Sequence, residues 1–229
     1  MILFYSTNIE MSTIILSNEE HIHCSKVLRK QVNEEIYITD GKGNIFTCII
    51  SEIAKTNTKC RILSILETPK PTNYLAIGIT PTKNPSRLEW FVEKAVEIGI
   101  SEILILNTQR TERKSMKFER LDRIIISAMK QSLNVYLPEI SIVSDFKNIN
   151  TYCSHFENKF IAYCDGPADV LSLIYNKKSS VIVLIGPEGD FTSEEIETAK
   201  QHHFRPVSLG NTRLRTETAG LVALMMLKW

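Results

Sequence analysis

The chain has 229 residues, is 43% hydrophobic and 23% charged, and carries 27 Lys+Arg against 26 Asp+Glu for a net charge of +1. Those proportions belong to an ordinary globular protein of one or two domains and exclude a disordered chain, a collagen-like repeat and a disulfide scaffold. Near-neutrality also excludes a protein that coats nucleic acid through bulk charge, while leaving room for a local basic patch.

The N-terminus, MILFYSTNIEMS, lacks a basic n-region, a sustained apolar stretch and a small-residue cleavage site, so it does not read as a signal peptide. No apolar run approaches the roughly 20 residues of a membrane-spanning helix. The five cysteines (Cys24, Cys48, Cys60, Cys153, Cys164) are odd in number, widely spaced and without a C-x-x-C, which indicates neither a zinc site nor a disulfide framework. The expected compartment is the cytoplasm, and no metal is expected. Cys24, between His23 and Ser25, reads as a buried or bystander thiol rather than a nucleophile.

In chain order, Glu35–Thr39 and Phe46–Ile50 are strand-like runs separated by Asp40-Gly-Lys-Gly-Asn44, the turn chemistry of a β-hairpin. The stretch His21–Lys30 has no acid and three Lys/Arg, which suits a phosphate-contacting face or a solvated short helix. A composition shift follows at Glu67–Asn73, where Pro69 and Pro71 fix φ and remove donors. The expected domains are therefore residues 1–70, small and mostly β, and residues 71–229.

Beyond the linker, apolar strands alternate with helices. Tyr74–Ile79 suits a strand buried on both faces. Ser86-Arg-Leu-Glu89 reads as a capping box, with Leu88, Phe91, Val92 and Ala95 on one helical face and Gly99 as the stop. Glu102–Leu106 is the next strand, and Leu121, Ile124, Ile125 and Ala128 stripe a helix that ends before Pro138. Strands are expected at Lys159–Tyr163, Val181–Ile185 and Pro206–Leu209, a helix at the Thr192–Glu195 capping box and a closing helix from Glu217 to Lys228. Such alternation predicts an α/β fold with a mainly parallel sheet covered on both faces.

Ligands of open α/β sheets bind beyond the carboxyl ends of the strands. Two segments lie there. Ile185–Thr192 contains Gly186, Pro187 and Gly189; it can present backbone groups to a flat polar ligand such as adenine, or simply make a tight strand-to-helix connection with Glu188 and Asp190 near a helix N-terminus. Leu209–Ala219 carries Arg213 and Arg215 ahead of a helix start; the arginines with Thr216 and Thr218 can hold a carboxylate or phosphate, or Thr216 can be an N-cap beside solvated arginines. Neither G-x-G-x-x-G nor G-x-x-x-x-G-K-[ST] occurs, which removes most support for a dinucleotide-binding Rossmann domain or a P-loop NTPase. The stretch Arg110–Arg123 holds six Lys/Arg against three acids, follows a strand, and suits an RNA backbone or a mixed-charge helix start.

Gly186-Pro-Glu-Gly189, Leu209-Gly210 and Leu214-Arg-Thr-Glu-Thr-Ala219 resemble the motifs of the RsmE-type ribosomal RNA uridine-N3 methyltransferases of the SPOUT superfamily. Lys83, Glu93–Ile100, Arg110–Ser115 and Ala128–Pro138 follow in that family's order, and Val27-Leu28-Arg29 with Asp40-Gly41 resembles its PUA-like domain, so the likeness covers nearly the whole chain. Three positions depart from the family's pattern where glycine is usual: Asn33, Leu133 and Asp190; Asn134 also replaces an arginine.

The resemblance implies a SPOUT-type parallel sheet with a C-terminal trefoil knot, preceded by a small PUA-like β-barrel. It implies S-adenosylmethionine as cofactor, a homodimer with active sites at the subunit interface, and methylation at N3 of a uridine in small-subunit (16S) ribosomal RNA, free or in the 30S subunit. Cofactor contacts are expected at Thr80, Leu184, Gly186, Glu188, Gly189, Leu209, Gly210, Leu214, Thr218 and Ala219, and RNA contacts at Lys26, Arg29, Lys83, Arg110, Arg113 and Lys114. Arg215 is the first candidate to stabilise charge developing on the uracil, with Arg110 or Arg113 of the partner subunit as alternatives; Glu217 is a candidate proton acceptor or a helix-dipole complement. The competing readings are a SPOUT enzyme for another RNA position, such as a transfer RNA ribose 2′-hydroxyl, and a non-catalytic RNA-binding assembly factor.

Overall fold

The structure, a computed structural model, describes residues 1–112, 117–163, 168–175 and 179–229. The chain divides into two units, Met1–Lys70 with Ile126–Leu137 and Pro71–Ile125 with Pro138–Trp229.

In the first unit, strands β1 (Leu3–Tyr5), β2 (Ile9–Glu10), β3 (Thr13–Ser17), β4 (Glu35–Thr39), β5 (Asn44–Ile53) and β6 (Asn57–Glu67) form one sheet in the order β1-β4-β5-β6-β3-β2. Alternate residues point inward, so Ile36 and Ile38, Phe46, Cys48 and Ile50, and Ile14 and Leu16 share one core. Register shifts between Thr47 and Cys48 and between Ile50 and Glu52 mark irregularities in the long β5–β6 pair, and bulges of that kind bend a strand and curl a sheet. The β4–β5 hairpin forms as the sequence predicts. Its turn is held by Asp40, whose Oδ1 accepts from Lys42 N at 2.8 Å and whose Oδ2 accepts from Asn44 Nδ2 at 2.6 Å.

The basic stretch from His21 is helical. Helix α1 (Asn18–Ile22) runs into a π turn (His23–Val27), and Arg29 ends it in the left-handed region at φ +53. Buried His21 lies 2.9 Å from Thr58 Oγ1, which fixes this segment on β6.

The second unit is built on strands β7 (Leu75–Ile79), β8 (Glu102–Leu106), β9 (Glu139–Val143), β10 (Asn158–Ala162), β11 (Asp169–Val170), β12 (Val181–Ile185) and β13 (Arg205–Ser208). They are ordered β11-β13-β10-β12-β7-β8-β9 and every pairing is parallel. All residues of β7, β8 and β12 are buried, which is why they read as continuous apolar runs rather than alternating ones. The helices are α2 (Pro85–Ile98), α3 (Phe118–Gln131, whose residues from Ile126 belong to the first unit), α4 (Ile149–Cys153), α5 (Leu171–Ile174), α6 (Ser193–Gln201) and α7 (Thr216–Lys228). One core gathers Ala76, Leu104, Ile182 and Leu184 with Phe146, Ile149, Phe191, Ile196 and Phe204. Elsewhere, α7 packs on β7 and α2, and Gly220 of α7 lies against Phe91 and Ile79. No described helix is long and apolar enough to cross a membrane.

Three expectations are corrected. Helix α2 is not capped by Ser86: Asn84 is its N-cap and accepts from Ser86 N at 3.0 Å, with Pro85 in the first turn, where its missing N–H costs nothing. Thr216 is not an N-cap either, since Arg215 takes that position and Thr216 starts the helix. Strand β9 was not foreseen: it lies at the sheet edge and only Val143 is buried, so Glu-Ile-Ser-Ile-Val lacks the unbroken apolar run that marks β7, β8 and β12. The Thr192–Glu195 capping box is present as predicted, with reciprocal bonds at both ends.

Candidate functional site

Beyond the carboxyl ends of the neighbouring strands β13, β10 and β12 lies a cleft of about 830 Å³. Ile185–Asp190 and Val207–Thr216 line it, with Ala162 and Tyr163 from the end of β10 and Ala219 from α7.

The loop after β12 is shaped by packing and by hydrogen bonds to its carbonyls. A Cβ on Gly186 would stand 3.0 Å from Phe191 Cδ2, tighter than ordinary contact, so the buried Phe191 ring fits closely over this glycine; it lies 5.4 Å from the Phe146 ring, tilted by 45°. Asp190 N donates to Pro187 O at 2.9 Å and closes a turn. Three side chains then donate to loop carbonyls: Thr216 Oγ1 to Gly186 O at 3.1 Å, Arg213 Nη2 to Glu188 O at 3.4 Å, and Arg110 Nη1 to Gly189 O. In the facing loop, Gly210 has φ +122 and nothing within 4 Å of an added Cβ, so open space lies over its Cα. Ser208 Oγ accepts from Gly210 N at 3.2 Å and steadies that turn.

Of the residues singled out from the sequence, Gly186, Glu188, Gly189, Leu209, Gly210, Leu214, Arg215 and Ala219 line the cleft together. Thr80, Leu184, Thr218 and Glu217 do not. Leu184 is fully buried, and its Cδ2 lies 2.6 Å from where a Gly78 Cβ would be, so its side chain belongs to the core. Thr80 is fully buried rather than at the rim; its N–H donates to Ile185 O at 3.2 Å, and its Oγ1 has no partner among the described residues. The Glu217 side chain is 9% exposed, with Oε1 3.7 Å from Arg87 Nε and Oε2 without a hydrogen-bond partner among the described residues. Arg110 is exposed and bound to the loop. Lys83 is exposed and pairs with Glu112 at 3.0 Å. Lys26 and Arg29 are exposed on the first unit. Arg113 and Lys114 lie outside the described residues, as does Cys164. The other four cysteines are buried, and burial pushes the Cys24 thiol up to about 11, which keeps it protonated near neutral pH.

Sequence reading missed Tyr163 and Ala162. The signal was available, because β10 was recognised as a strand and the rule that sends ligands to strand ends applies to it equally. Arg87 was missed with no signal, since its pairing with Glu217 depends on how α2 meets α7.

The family described as RNA methyltransferase domain matches residues 68–228, and the RNA methyltransferase PUA domain matches residues 16–63. The chain is 29% identical over 224 residues to the ribosomal RNA small subunit methyltransferase E of Rickettsia conorii, covering 96% of this chain and 91% of that one. Among solved structures, a probable rRNA-methyltransferase from Porphyromonas gingivalis is 38% identical with a TM-score of 0.92, covering 100% of this chain and 98% of the other. The ribosomal RNA small subunit methyltransferase E of Neisseria gonorrhoeae, solved bound to S-adenosyl methionine, is 26% identical with a TM-score of 0.86, covering 100% of this chain and 97% of the other. With a matched PUA domain ahead of a matched methyltransferase domain and this likeness along its length, the chain belongs to the RsmE-type RNA methyltransferase family.

Proposed function

We propose that the protein is an S-adenosylmethionine-dependent methyltransferase that modifies N3 of a uridine in small-subunit (16S) ribosomal RNA. The observation that carries the reading is the cleft between the two glycine-bearing loops, Gly186–Asp190 and Leu209–Arg215, in a chain of this family. The residues present fit the cofactor: the space over Gly210 is open, and both glycine-bearing loops line one cavity. Gly186, Gly189, Leu209, Gly210 and Leu214 would hold it. When bound, S-adenosylmethionine supplies a methyl group that is already electrophilic.

The chain's own task is then to place the uracil in line and to make N3 nucleophilic as its proton passes to water. N3 lies on the Watson–Crick edge, so the base must be unpaired or flipped to be reached. Arg215, exposed at the N-cap of α7 and lining the cleft, is placed to stabilise negative charge developing on N3 and the flanking carbonyl oxygens. Glu217 does not line the cleft within one chain; its place beside Arg87 favours a role in holding α7 to α2 over proton removal. Lys26 and Arg29 are exposed cations of the first unit, which supports an RNA-gripping role for it.

The reading includes the C-terminal knot, a homodimer and cytoplasmic action on free RNA or the 30S subunit. The knot is supported by the path of the chain: β13 lies beside β10, and the next element, α7, packs on β7 and α2 farther along the sheet.

The test is incubation of undermethylated small subunits with the protein and labelled S-adenosylmethionine, followed by mass mapping of the modified nucleotide. A label at uracil N3 is expected. A label on a ribose or another base overturns the N3 assignment.

A further inference from the structure

The turn after β8 is closed on itself by two buried threonines. Thr108 N donates to Thr111 Oγ1 at 3.1 Å, the two hydroxyls are 2.8 Å apart, and Thr111 N donates to Thr108 O at 3.2 Å. The residues between them, Gln109 and Arg110, both face the segment that follows β12. Gln109 N donates to Glu195 Oε1 at 2.8 Å, while Glu195 Oε2 accepts from Thr192 N at 2.8 Å and from Thr192 Oγ1 at 3.1 Å. One buried carboxylate thus ties the β8 turn to the start of α6, where the helix dipole favours its charge.

Arg110 makes the second tie, at the other end of the same loop. Its chain runs across Gly189, with Cδ 3.4 Å and Cβ 3.9 Å from where a Gly189 Cβ would stand, and its guanidinium donates to the Gly189 carbonyl. The same peptide's other end, Asp190 N–H, donates to Pro187 O at 2.9 Å. A peptide unit is planar, so holding both its C=O and its N–H fixes its orientation at a residue that lines the cleft.

We infer that Arg110 is a positioning residue for the cofactor loop, setting the Gly189–Asp190 peptide through its carbonyl, and that its contribution to activity runs through S-adenosylmethionine affinity rather than through RNA. The inference rests on the reading that Gly186–Asp190 holds the cofactor. It gives this arginine a role other than the one expected from the sequence, where it stabilises the uracil from the partner subunit or grips a phosphate.

The test is calorimetric titration of S-adenosylmethionine into the RNA-free full chain as wild type, Arg110→Ala, Arg110→Met and Arg110→Lys. R110A and R110M are expected to bind about tenfold more weakly, the scale of a lost hydrogen bond to a charged donor, and R110K, which keeps a donor on a long stem, to recover most of that loss. In steady state, R110A raises KM for the cofactor about tenfold, leaves kcat at saturating cofactor near wild type, and leaves the salt dependence of RNA binding unchanged. R110A binding as tightly as wild type, or R110K binding no better than R110A, overturns the inference alone. A wild-type protein that binds no S-adenosylmethionine overturns the cofactor reading and this inference with it.

Discussion

The hydroxyl of Thr216 donates to the carbonyl of Gly186 over 3.1 Å, joining the first residue of α7 to the first residue after β12. Both residues line the cleft, so this bond holds its two walls together. Thr216 is buried, and water is poorly placed to replace it. Thr216→Val keeps the side-chain shape and leaves the Gly186 carbonyl without its donor. It is expected to lower stability by about 1 kcal/mol or somewhat more, read as a fall in Tm, while Thr216→Ser stays close to wild type.

Gly220 carries the contact between α7 and α2. A Cβ there would stand 2.6 Å from Phe91 Cε2 and 3.1 Å from Ile79 Cδ1, and both neighbours are fully buried. Glycine is a poor helix former, so alanine would stabilise an exposed helix here. Overpacking outweighs that gain, and Gly220→Ala is expected to destabilise by roughly 1–3 kcal/mol in urea unfolding.

The three positions where the sequence resemblance leads one to expect glycine all have left-handed backbones: Asn33 at φ +72, Leu133 at +58 and Asp190 at +61. Asparagine and aspartate tolerate that region by bonding locally, as Asp190 Oδ1 does in accepting from Phe191 N at 2.7 Å. Leucine has no such compensation, and Leu133 is 44% exposed, so only part of a side chain's burial is lost on removing it. Leu133→Gly is expected to stabilise the protein by about 1 kcal/mol, seen as a higher denaturation midpoint with an unchanged m-value.

The same positions show how far the sequence could be read. The strands β7, β8 and β12 were legible because burial on both faces writes itself as an unbroken apolar run. The cleft was legible because two glycine-bearing segments follow strand ends of one sheet, where ligands of open α/β sheets bind. The surroundings of Thr80, Leu184 and Arg110 were not, because each depends on what lies across from it: the end of β12, the Gly78 Cα and the Gly189 carbonyl. Sequence places a residue at a strand end, but only packing decides whether its side chain faces the cleft or the core.

Glu102, at the start of β8, is a buried carboxyl away from the cleft. Burial pushes its pKa above the usual carboxylate value; Tyr74, whose hydroxyl donates to Oε2 at 3.2 Å, and His155, with Nε2 at 3.8 Å, oppose this without cancelling it, and the nearby Glu139 adds least. Cys153, whose thiol burial pushes up to about 12, and the Tyr74 phenol, also raised chiefly by burial, are neutral throughout the range considered. Because the folded value is raised above the unfolded one, the folded state holds the proton more tightly. The stability this gives is full below the unfolded value and is lost as pH rises through the folded one. Glu102→Gln keeps an acceptor for Tyr74 and cannot ionise, so it removes that slope. Measured by urea unfolding from about pH 4 to pH 7, the stability of E102Q relative to wild type should therefore rise with pH. A relative stability that is flat, or that falls as pH rises, would show that the ionised carboxylate is better solvated or better paired than its burial against Tyr74 allows.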